Sequence, residues 1–268
     1  MKKTIMILAA GLMAAPAMAQ EEAPKPFTVS GSVGLVSDYR FRGVSQSDKE
    51  MAIQGGLTVS HSSGFYVATW GSNLAGWGQF GGANMELDLV GGYKLPVGGG
   101  TLDAGLTWYM YPGGSDNTDF AEPYIKYSGI AGPVNYLAGV AYAPKQQALG
   151  NYSSLPSSRG QKDDNLYVWG DVSAGIPNTP VTIKAHLGYS NGNPGLGPNG
   201  TSVAPTGKYV DWLLGVDYVL GPVTLGAAYV DTDISKAESA YLQPNFSSTK
   251  DGSSIADSQI VLSVTAAF

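Results

Sequence analysis

Apolar and polar residues alternate along most of this chain. From Val181 to Tyr189, the odd-numbered residues are apolar, whereas Thr182, Lys184 and His186 between them are polar. Successive side chains of a β-strand point to opposite faces, so this pattern predicts strands with one apolar and one polar face. We distinguish twelve such segments: 28–42, 50–61, 65–73, 84–94, 101–111, 119–128, 133–143, 165–176, 181–190, 208–220, 223–232 and 257–268.

The connections between these segments are alternately long and short. The short ones, such as 62–64 and 221–222, contain the Gly and Pro residues that tight turns require. The long ones, such as 144–164 and 232–257, are polar and rich in Gly, Ser, Asn and Pro. Outer-membrane barrels have short periplasmic turns and longer outer loops. We therefore expect an all-β fold, a transmembrane antiparallel up-and-down β-barrel of about 12 strands.

The first residues have the pattern of a secretory signal peptide. A basic start at 1–3 is followed by an apolar core at 5–15 and the small-x-small triplet Ala17-Met18-Ala19. The apolar core is shorter than the roughly 20 residues that a membrane-spanning helix needs. We expect a cleaved signal peptide at 1–19, an N-terminal periplasmic segment at 20–27 and the barrel at 28–268.

The last segment resembles the terminal strand of outer-membrane barrels. It ends on an aromatic residue, with apolar residues at every second position before it. In such barrels the terminal aromatic residue belongs to the signal that the barrel assembly machinery reads. The residues predicted to form this signal are Ile260, Leu262, Val264, Ala266 and Phe268.

The polar faces of the predicted strands carry the charged residues. A Lys or Arg that faces lipid at mid-membrane costs ~2–4 kcal/mol, so the charged faces should point into the lumen. In the first segment the alternation places Asp38, Arg40 and Arg42 on the inner face of the strand. The predicted pore-lining residues are Asp38, Arg40, Arg42, Glu86, Asp88, Asp103, Glu122, Lys126, Asp171, Lys184, His186, Asp211 and Asp217. Aromatic residues near the outward strand ends predict interfacial girdles: Tyr39, Phe41, Tyr93, Trp108, Tyr142, Tyr189, Trp212 and Tyr229.

Composition excludes several classes of function. The chain has 15 basic and 21 acidic residues, and an acidic protein is a poor non-specific binder of nucleic acid. It contains no cysteine, so disulfides and thiolate chemistry are excluded. Its two histidines lie in no hydrolase or metalloprotease motif. We expect no catalysis, no cofactor and no metal site.

A dense motif covers residues 30–94. It reads Ser37-Asp38-Tyr39-Arg40-Phe41-Arg42-Gly43-Val44-Ser45-Gln46-Ser47, then Gln54-Gly55-Gly56, Gly64-Phe65-Tyr66 and Trp70-Gly71-Ser72-Asn73. This pattern resembles that of the TorF family of porin-like outer-membrane proteins. The resemblance implies an outer-membrane channel of a Gram-negative bacterium, but it brings no substrate, because the solute of that family is not established.

The predicted lumen is acidic. Its list contains eight acids against the four bases Arg40, Arg42, Lys126 and Lys184. This balance favours passive diffusion of cationic or small polar solutes. Asp38, Arg40 and Arg42 fit either a charged constriction or a structural ion-pair network. The alternative function is a non-conducting barrel with a structural or adhesive role through its outer loops. A soluble β-sandwich binder is disfavoured, because its outer faces would be polar. The expected partners are outer-membrane lipids, lipopolysaccharide and the assembly machinery, with homo-oligomers left open.

Overall fold

A computed structural model describes residues 26–150, 161–194 and 202–268. The predicted signal peptide at 1–19 and almost all of the predicted periplasmic segment at 20–27 lie outside the described residues. The described chain forms fourteen strands, numbered in chain order. They are β1 Phe27–Val36, β2 Arg40–Phe41, β3 Val44–Ser45, β4 Ala52–His61, β5 Phe65–Asn73, β6 Met85–Val97, β7 Gly100–Met110, β8 Phe120–Ala131, β9 Val134–Gln146, β10 Asp163–Gly175, β11 Val181–Gly192, β12 Lys208–Leu220, β13 Val223–Thr232 and β14 Gln259–Ala267.

Twelve of these strands close into an antiparallel barrel, as the sequence predicted. Each barrel strand pairs with its neighbours in the chain, and β14 returns to pair with β1. Closure leaves no strand edge with unpaired backbone groups, which a lipid-exposed sheet could not satisfy. The remaining pair, β2 and β3, forms a separate two-stranded hairpin in the connection between β1 and β4.

Short turns lie at one end of the barrel and long connections at the other. We call these the turn end and the loop end. Between β6 and β7, Val97 pairs with Gly100, and the two glycines between them have φ of 57° and 85°. A two-residue turn of this kind needs positive φ at both positions, which glycine adopts without steric cost. Both ends of the described barrel, Phe27 and Phe268, also lie at the turn end.

The two faces of the wall differ in the way that the alternation predicted. On β12, Leu214 is 60% exposed on the outer face, whereas Asp211 is 3% exposed on the inner face. Phe268 pairs with Gly31 through two backbone hydrogen bonds, N to O at 3.0 Å and the reverse at 2.9 Å. Ile260, Leu262 and Val264 are exposed on the outer face of β14. The role of this strand as an assembly signal stays a prediction.

The first strand is shorter than predicted. Strand β1 ends at Val36, so the placement of Asp38, Arg40 and Arg42 on its inner face is wrong. The physical reason is a tight turn: Arg42 and Gly43 have φ of 49° and 79° and reverse the chain between β2 and β3. The resulting hairpin, Arg40–Ser45, folds into the barrel instead of extending its wall.

Because β1 ends at Val36, Tyr39 and Phe41 do not belong to the predicted interfacial girdles. Tyr39 is buried in a hydrophobic cluster, and Phe41 packs against the same cluster. Strand β5, whose orientation the aromatic pattern left undecided, also contributes inward residues. Its buried Tyr66 and Ser72 face inward, while Phe65 and Val67 are exposed. Trp70 contacts Tyr39 edge-on, with ring centroids 5.3 Å apart.

The described parts of the long connections fold over the loop end and form what we call the cap. Its described helical elements are the 3-10 turns Gly76–Gly78, Phe80–Gly82, Gln147–Leu149 and Ala240–Leu242 and the α-helical turn α1, Lys236–Ser239. No helix in the described part of the chain is long and apolar enough to span a membrane. Large side chains pack the cap against the hairpin: Val44, Trp77, Tyr209, Leu242, Phe246 and Ile255. Burial of such side chains contributes about 1.5–3 kcal/mol each, so the cap is a packed unit.

Candidate functional site

The hairpin is stabilised by a buried carboxylate at its base. Asp38 accepts hydrogen bonds from Arg40 Nε at 2.7 Å and from Ser45 Oγ at 2.6 Å. Arg40 Nη1 donates to the carbonyl oxygens of Gly43 and Asp257, both at 2.9 Å. These bonds join the hairpin to its own turn and to the segment that precedes β14. The hairpin is therefore a folded element with several anchors.

The tip of the hairpin is bound to the far wall. Arg42 Nη2 donates to both carboxylate oxygens of Glu122 on β8 at 2.7 Å, and each of the two side chains is only 4% exposed. The guanidinium lies 4.1 Å from the ring centroid of Tyr167 and 4.7 Å from that of Phe41. A planar guanidinium suits this combination of carboxylate pairing and aromatic stacking. We call the Arg42–Glu122 pair the clamp.

A histidine cluster lies next to the clamp. His186 Nδ1 is 2.7 Å from Asp171 Oδ1, and Nε2 is 2.9 Å from Tyr167 Oη and 3.2 Å from Asp211 Oδ1. Tyr167 Oη also donates to Asp211 at 3.1 Å, and the same ring stacks under Arg42. A protonated imidazole can donate to both carboxylates at once. The cluster thus joins β10, β11 and β12 to the hairpin tip.

Two acids on β6 have a different environment. Glu86 accepts one hydrogen bond from Tyr39 Oη at 3.1 Å. Asp88 Oδ1 is buried and has no hydrogen-bond partner. Neither carboxylate is in an ion pair within 4.0 Å in the part of the chain that the structure describes. Both residues are more than nine-tenths buried, so this is an uncompensated acidic position in the lumen.

The turn half of the lumen contains two looser ion pairs. Lys184 Nζ is 2.7 Å from Asp217 Oδ1, and Lys126 Nζ is 3.5 Å from Asp103 Oδ2. The two lysine side chains remain 22% and 20% exposed. Their charged groups therefore keep part of their hydration, unlike the clamp.

The turn half of the lumen also contains tyrosines and one further lysine. Tyr66 Oη donates to Asp103 at 2.8 Å and also contacts Tyr124 Oη. Lys94 Nζ lies 4.8 Å from the centroid of the Tyr66 ring, so it is a fifth inward base. Lys94 shares the parity of Glu86 and Asp88, and this signal could have added it to the predicted list. The tyrosines gave no comparable signal, because tyrosine is common on both faces of these strands.

The thirteen predicted pore-lining residues form separate groups in the structure. Arg42, Glu122, Asp171, His186 and Asp211 meet around Tyr167, whereas Asp38 and Arg40 lie at the hairpin base. The pairs Lys126–Asp103 and Lys184–Asp217 stand apart in the turn half, and Glu86 and Asp88 lack basic partners. Among the described residues no group of three or more His, Cys, Asp or Glu side chains could hold a metal ion.

The sequence matches a bacterial family over residues 20–268, and that family is described as "Bacterial protein of unknown function (Gcw_chp)". The match covers more than half of the chain, so the protein belongs to this family. The TorF name remains a resemblance. No curated protein has a sequence significantly similar to this chain.

Solved structures show the same fold. The NanC porin aligns with a TM-score of 0.55 and 13% identity, covering 90% of this chain and 99% of its own. A membrane protein from a study of in-meso crystallization aligns with a TM-score of 0.51 and 11% identity, covering 90% and 83%. A porin refined at 1.8 Å covers 90% and 100% at 11% identity, with a TM-score of 0.44. At such identities the likeness to the first two structures concerns the fold alone, which is porin-like.

Proposed function

We propose that this member of the Gcw_chp family is an outer-membrane channel for passive diffusion of small polar or cationic solutes. The main support is that a loop hairpin, and not the wall alone, supplies a charged side chain that contacts the inner face of the barrel. The hairpin tip reaches Glu122 through Arg42, and both side chains are 4% exposed. A loop can move while the hydrogen-bonded wall stays intact, so a channel closed in this way can open.

The proposed solute class follows from the charges inside the barrel. The eight predicted acids face five bases once Lys94 is included. Among these acids, Glu86 and Asp88 are the two that have no ion pair with a basic side chain or with His186 among the described residues. Rings of acidic side chains favour cations in pores, because they replace part of the hydration that a cation loses on entry. Neutral polar solutes are also compatible with such a lumen, whereas anions are disfavoured.

The proposed location is the outer membrane of a Gram-negative bacterium. The exposed apolar residues of the outer wall would contact the lipid acyl chains, and the cap would face lipopolysaccharide and the medium. The terminal strand ending at Phe268 would be read by the barrel assembly machinery. Association into homo-oligomers is compatible with these assignments and is not required by them.

We propose that the protein is not an enzyme. His186, the histidine inside the lumen, has both ring nitrogens in contact with carboxylate or phenol oxygens. A general base for nucleophilic catalysis directs one ring nitrogen at its nucleophile, whereas Nε2 of His186 is shared between Tyr167 Oη and the Asp211 carboxylate. The contacts of His186 instead favour a structural role between β10, β11 and β12.

A second candidate function is a non-conducting barrel that acts through its outer loops. The burial of the clamp favours this candidate, because water does not reach Arg42 or Glu122 in this conformation. The packed cap, which includes the buried Phe246 and Leu242, favours it as well. The two candidates differ in one respect, which is whether folded barrels let solutes pass.

Solute flux into proteoliposomes distinguishes the two candidates. Lysine, glutamine and glutamate are similar in size and differ in charge, so their swelling rates report selectivity directly. The channel predicts flux above that of protein-free liposomes, with lysine and glutamine faster than glutamate. No flux from barrels shown to be folded by heat-modifiable gel migration would favour the non-conducting candidate. Faster entry of glutamate would contradict the acidic lumen.

A further inference from the structure

A small cavity lies between the cap and the barrel wall. Its free volume is about 10 Å³, which is room for roughly one water-sized particle. The wall contributes Glu86 and Tyr209, and the hairpin and the loops contribute aromatic rings, among them Phe41, Trp77 and Tyr111. Glu86 is the one acidic residue among the described lining residues, which also include five aromatic side chains and the polar Gln46 and Ser202.

The charge at this position is not balanced by the protein. Glu122 pairs with Arg42, Asp217 with Lys184 and Asp103 with Lys126. Glu86 and Asp88, two residues apart on β6, have no such partner, although they are 3% and 8% exposed. A buried carboxylate without a counter-charge is strongly unfavourable. A proton, a water network or a bound cation must supply the compensation.

An independent observation indicates that the cavity has a polar occupant. Tyr209 is 3% exposed and lines the same cavity as Glu86. Its Oη approaches Ser190 but makes no hydrogen bond of normal geometry. Buried polar atoms are almost always satisfied in native proteins, so the Tyr209 hydroxyl points to a group that the protein does not provide.

We propose that this cavity binds a single small monovalent cation, of the size of potassium or ammonium. Glu86 would supply the counter-charge and Tyr209 Oη a further oxygen. The aromatic walls would contribute cation–π attraction, which grows when the cation is desolvated. A monovalent cation would balance the single carboxylate among the described lining residues, whereas calcium or magnesium would leave an excess positive charge in the cavity. The site deepens the proposed channel function, and its meaning for transport rests on that function.

Binding can be measured without any current. The detergent-folded protein is heated in potassium chloride or in N-methyl-D-glucamine chloride at equal ionic strength, and the organic cation is too large for the cavity. A ligand that binds only the folded state raises the unfolding midpoint with its concentration. We expect this rise for potassium and ammonium. Glu86→Gln should weaken the apparent potassium affinity by about tenfold or more, equivalent to ~1.4 kcal/mol.

The matched control is Asp217→Asn. It removes an inward acid that is paired with Lys184, so the potassium response should stay as in the wild type. If Glu86→Gln fails to fold, crystals of the wild-type protein grown with rubidium provide a second test, with an anomalous peak expected beside Glu86. The proposal is overturned if potassium gives no specific midpoint rise and no rubidium peak appears at Glu86. If the protein binds the ion but its barrels pass no solute, the cation site is supported and the channel function is rejected. If solutes pass but no ion binds, the channel function is supported and the cation site is rejected.

Discussion

The loop half and the turn half of the lumen use the same chemistry in different surroundings. In the loop half, Arg42 and Glu122 are each 4% exposed, and Nη2 of Arg42 donates to both carboxylate oxygens at 2.7 Å. In the turn half, Lys184 reaches Asp217 at the same distance but stays 22% exposed. The first pair joins a loop to the wall, whereas the second joins the neighbouring strands β11 and β12.

The contact that holds the hairpin and the contacts that join wall strands therefore differ in burial. The turn-half pairs link strands that are already joined by backbone hydrogen bonds, and they retain hydration. The clamp joins two segments 80 residues apart and holds a loop inside the lumen. Loss of the clamp should therefore have a larger effect than loss of any turn-half pair.

The largest effect on stability is expected for Glu122→Ala. This change leaves the buried Arg42 without its partner, and an unpaired buried charge costs about 3–5 kcal/mol. Urea unfolding of the detergent-folded barrel measures the loss. The double change Arg42→Met with Glu122→Met removes both charges and should cost less than the single one. Equal losses for single and double variants would contradict a desolvated pair.

A smaller effect is expected for Gly139→Ala, which tests whether wall aromatic residues fill the turn half. A Cβ at Gly139 on β9 would lie 2.4 Å from Cζ2 of Trp169. Displacement of this ring should cost about 1–3 kcal/mol. The control is Gly175→Ala on the neighbouring strand, where an added Cβ meets no heavy atom within 4 Å. If both variants unfold at the same urea concentration, the ring is not packed as described.

The change Lys184→Ala should cost about 1–3 kcal/mol, less than Glu122→Ala, because the lysine is 22% exposed while the Asp217 side chain that loses its partner is 6% exposed. The same urea unfolding assay compares it with Glu122→Ala. The effect should also shrink at high salt, since exposed charges are screened. A cost as large as that of Glu122→Ala would show that the ion pairs of the two halves contribute equally to stability.

The smallest effect concerns the exposed surface of the cap. Ser235 N and Oγ hydrogen-bond with the carboxylate of Glu238 and lower the pKa of that group. Because the pKa of Glu238 is lower in the folded state than in the unfolded state, these hydrogen bonds stabilise the fold at pH values above the ordinary glutamate pKa. This stabilisation is lost as the pH falls through the pKa of the folded state. An NMR titration of Glu238 should show this depression, and Ser235→Ala should reduce it. An unchanged pKa in that variant would exclude the capping box as the cause.

The sequence predicted the wall well, because alternation and turn chemistry act locally. The faces of β12 and the short turn at Gly98-Gly99 follow from neighbouring residues alone. The hairpin was missed because Arg40 and Arg42 continue the alternation of β1, while the backbone reverses at Arg42-Gly43. Sequence alternation contains no information about positive φ at an arginine.

The pairing inside the lumen could be predicted only in part. Parity identified Glu122 and Asp211 as inward residues, but their partners come from strands or loops far away in the chain. The contact of Arg42 with Glu122 and Tyr167 depends on how deeply the hairpin enters, which is set by packing of the cap. Long-range packing of this kind leaves no periodic signal in a single sequence.

If the Arg40–Ser45 hairpin closes a channel, as we propose, its removal should change the single-channel conductance in a planar bilayer. The hairpin is replaced by a Gly-Ser segment of equal length, and folding is checked by heat-modifiable migration. A matched control replaces Lys236–Ser239, whose lysine lies on the surface of the cap. We predict a larger and longer-lasting current for the hairpin variant than for the wild type and the control. Equal currents, or none, from all three folded barrels would contradict the account.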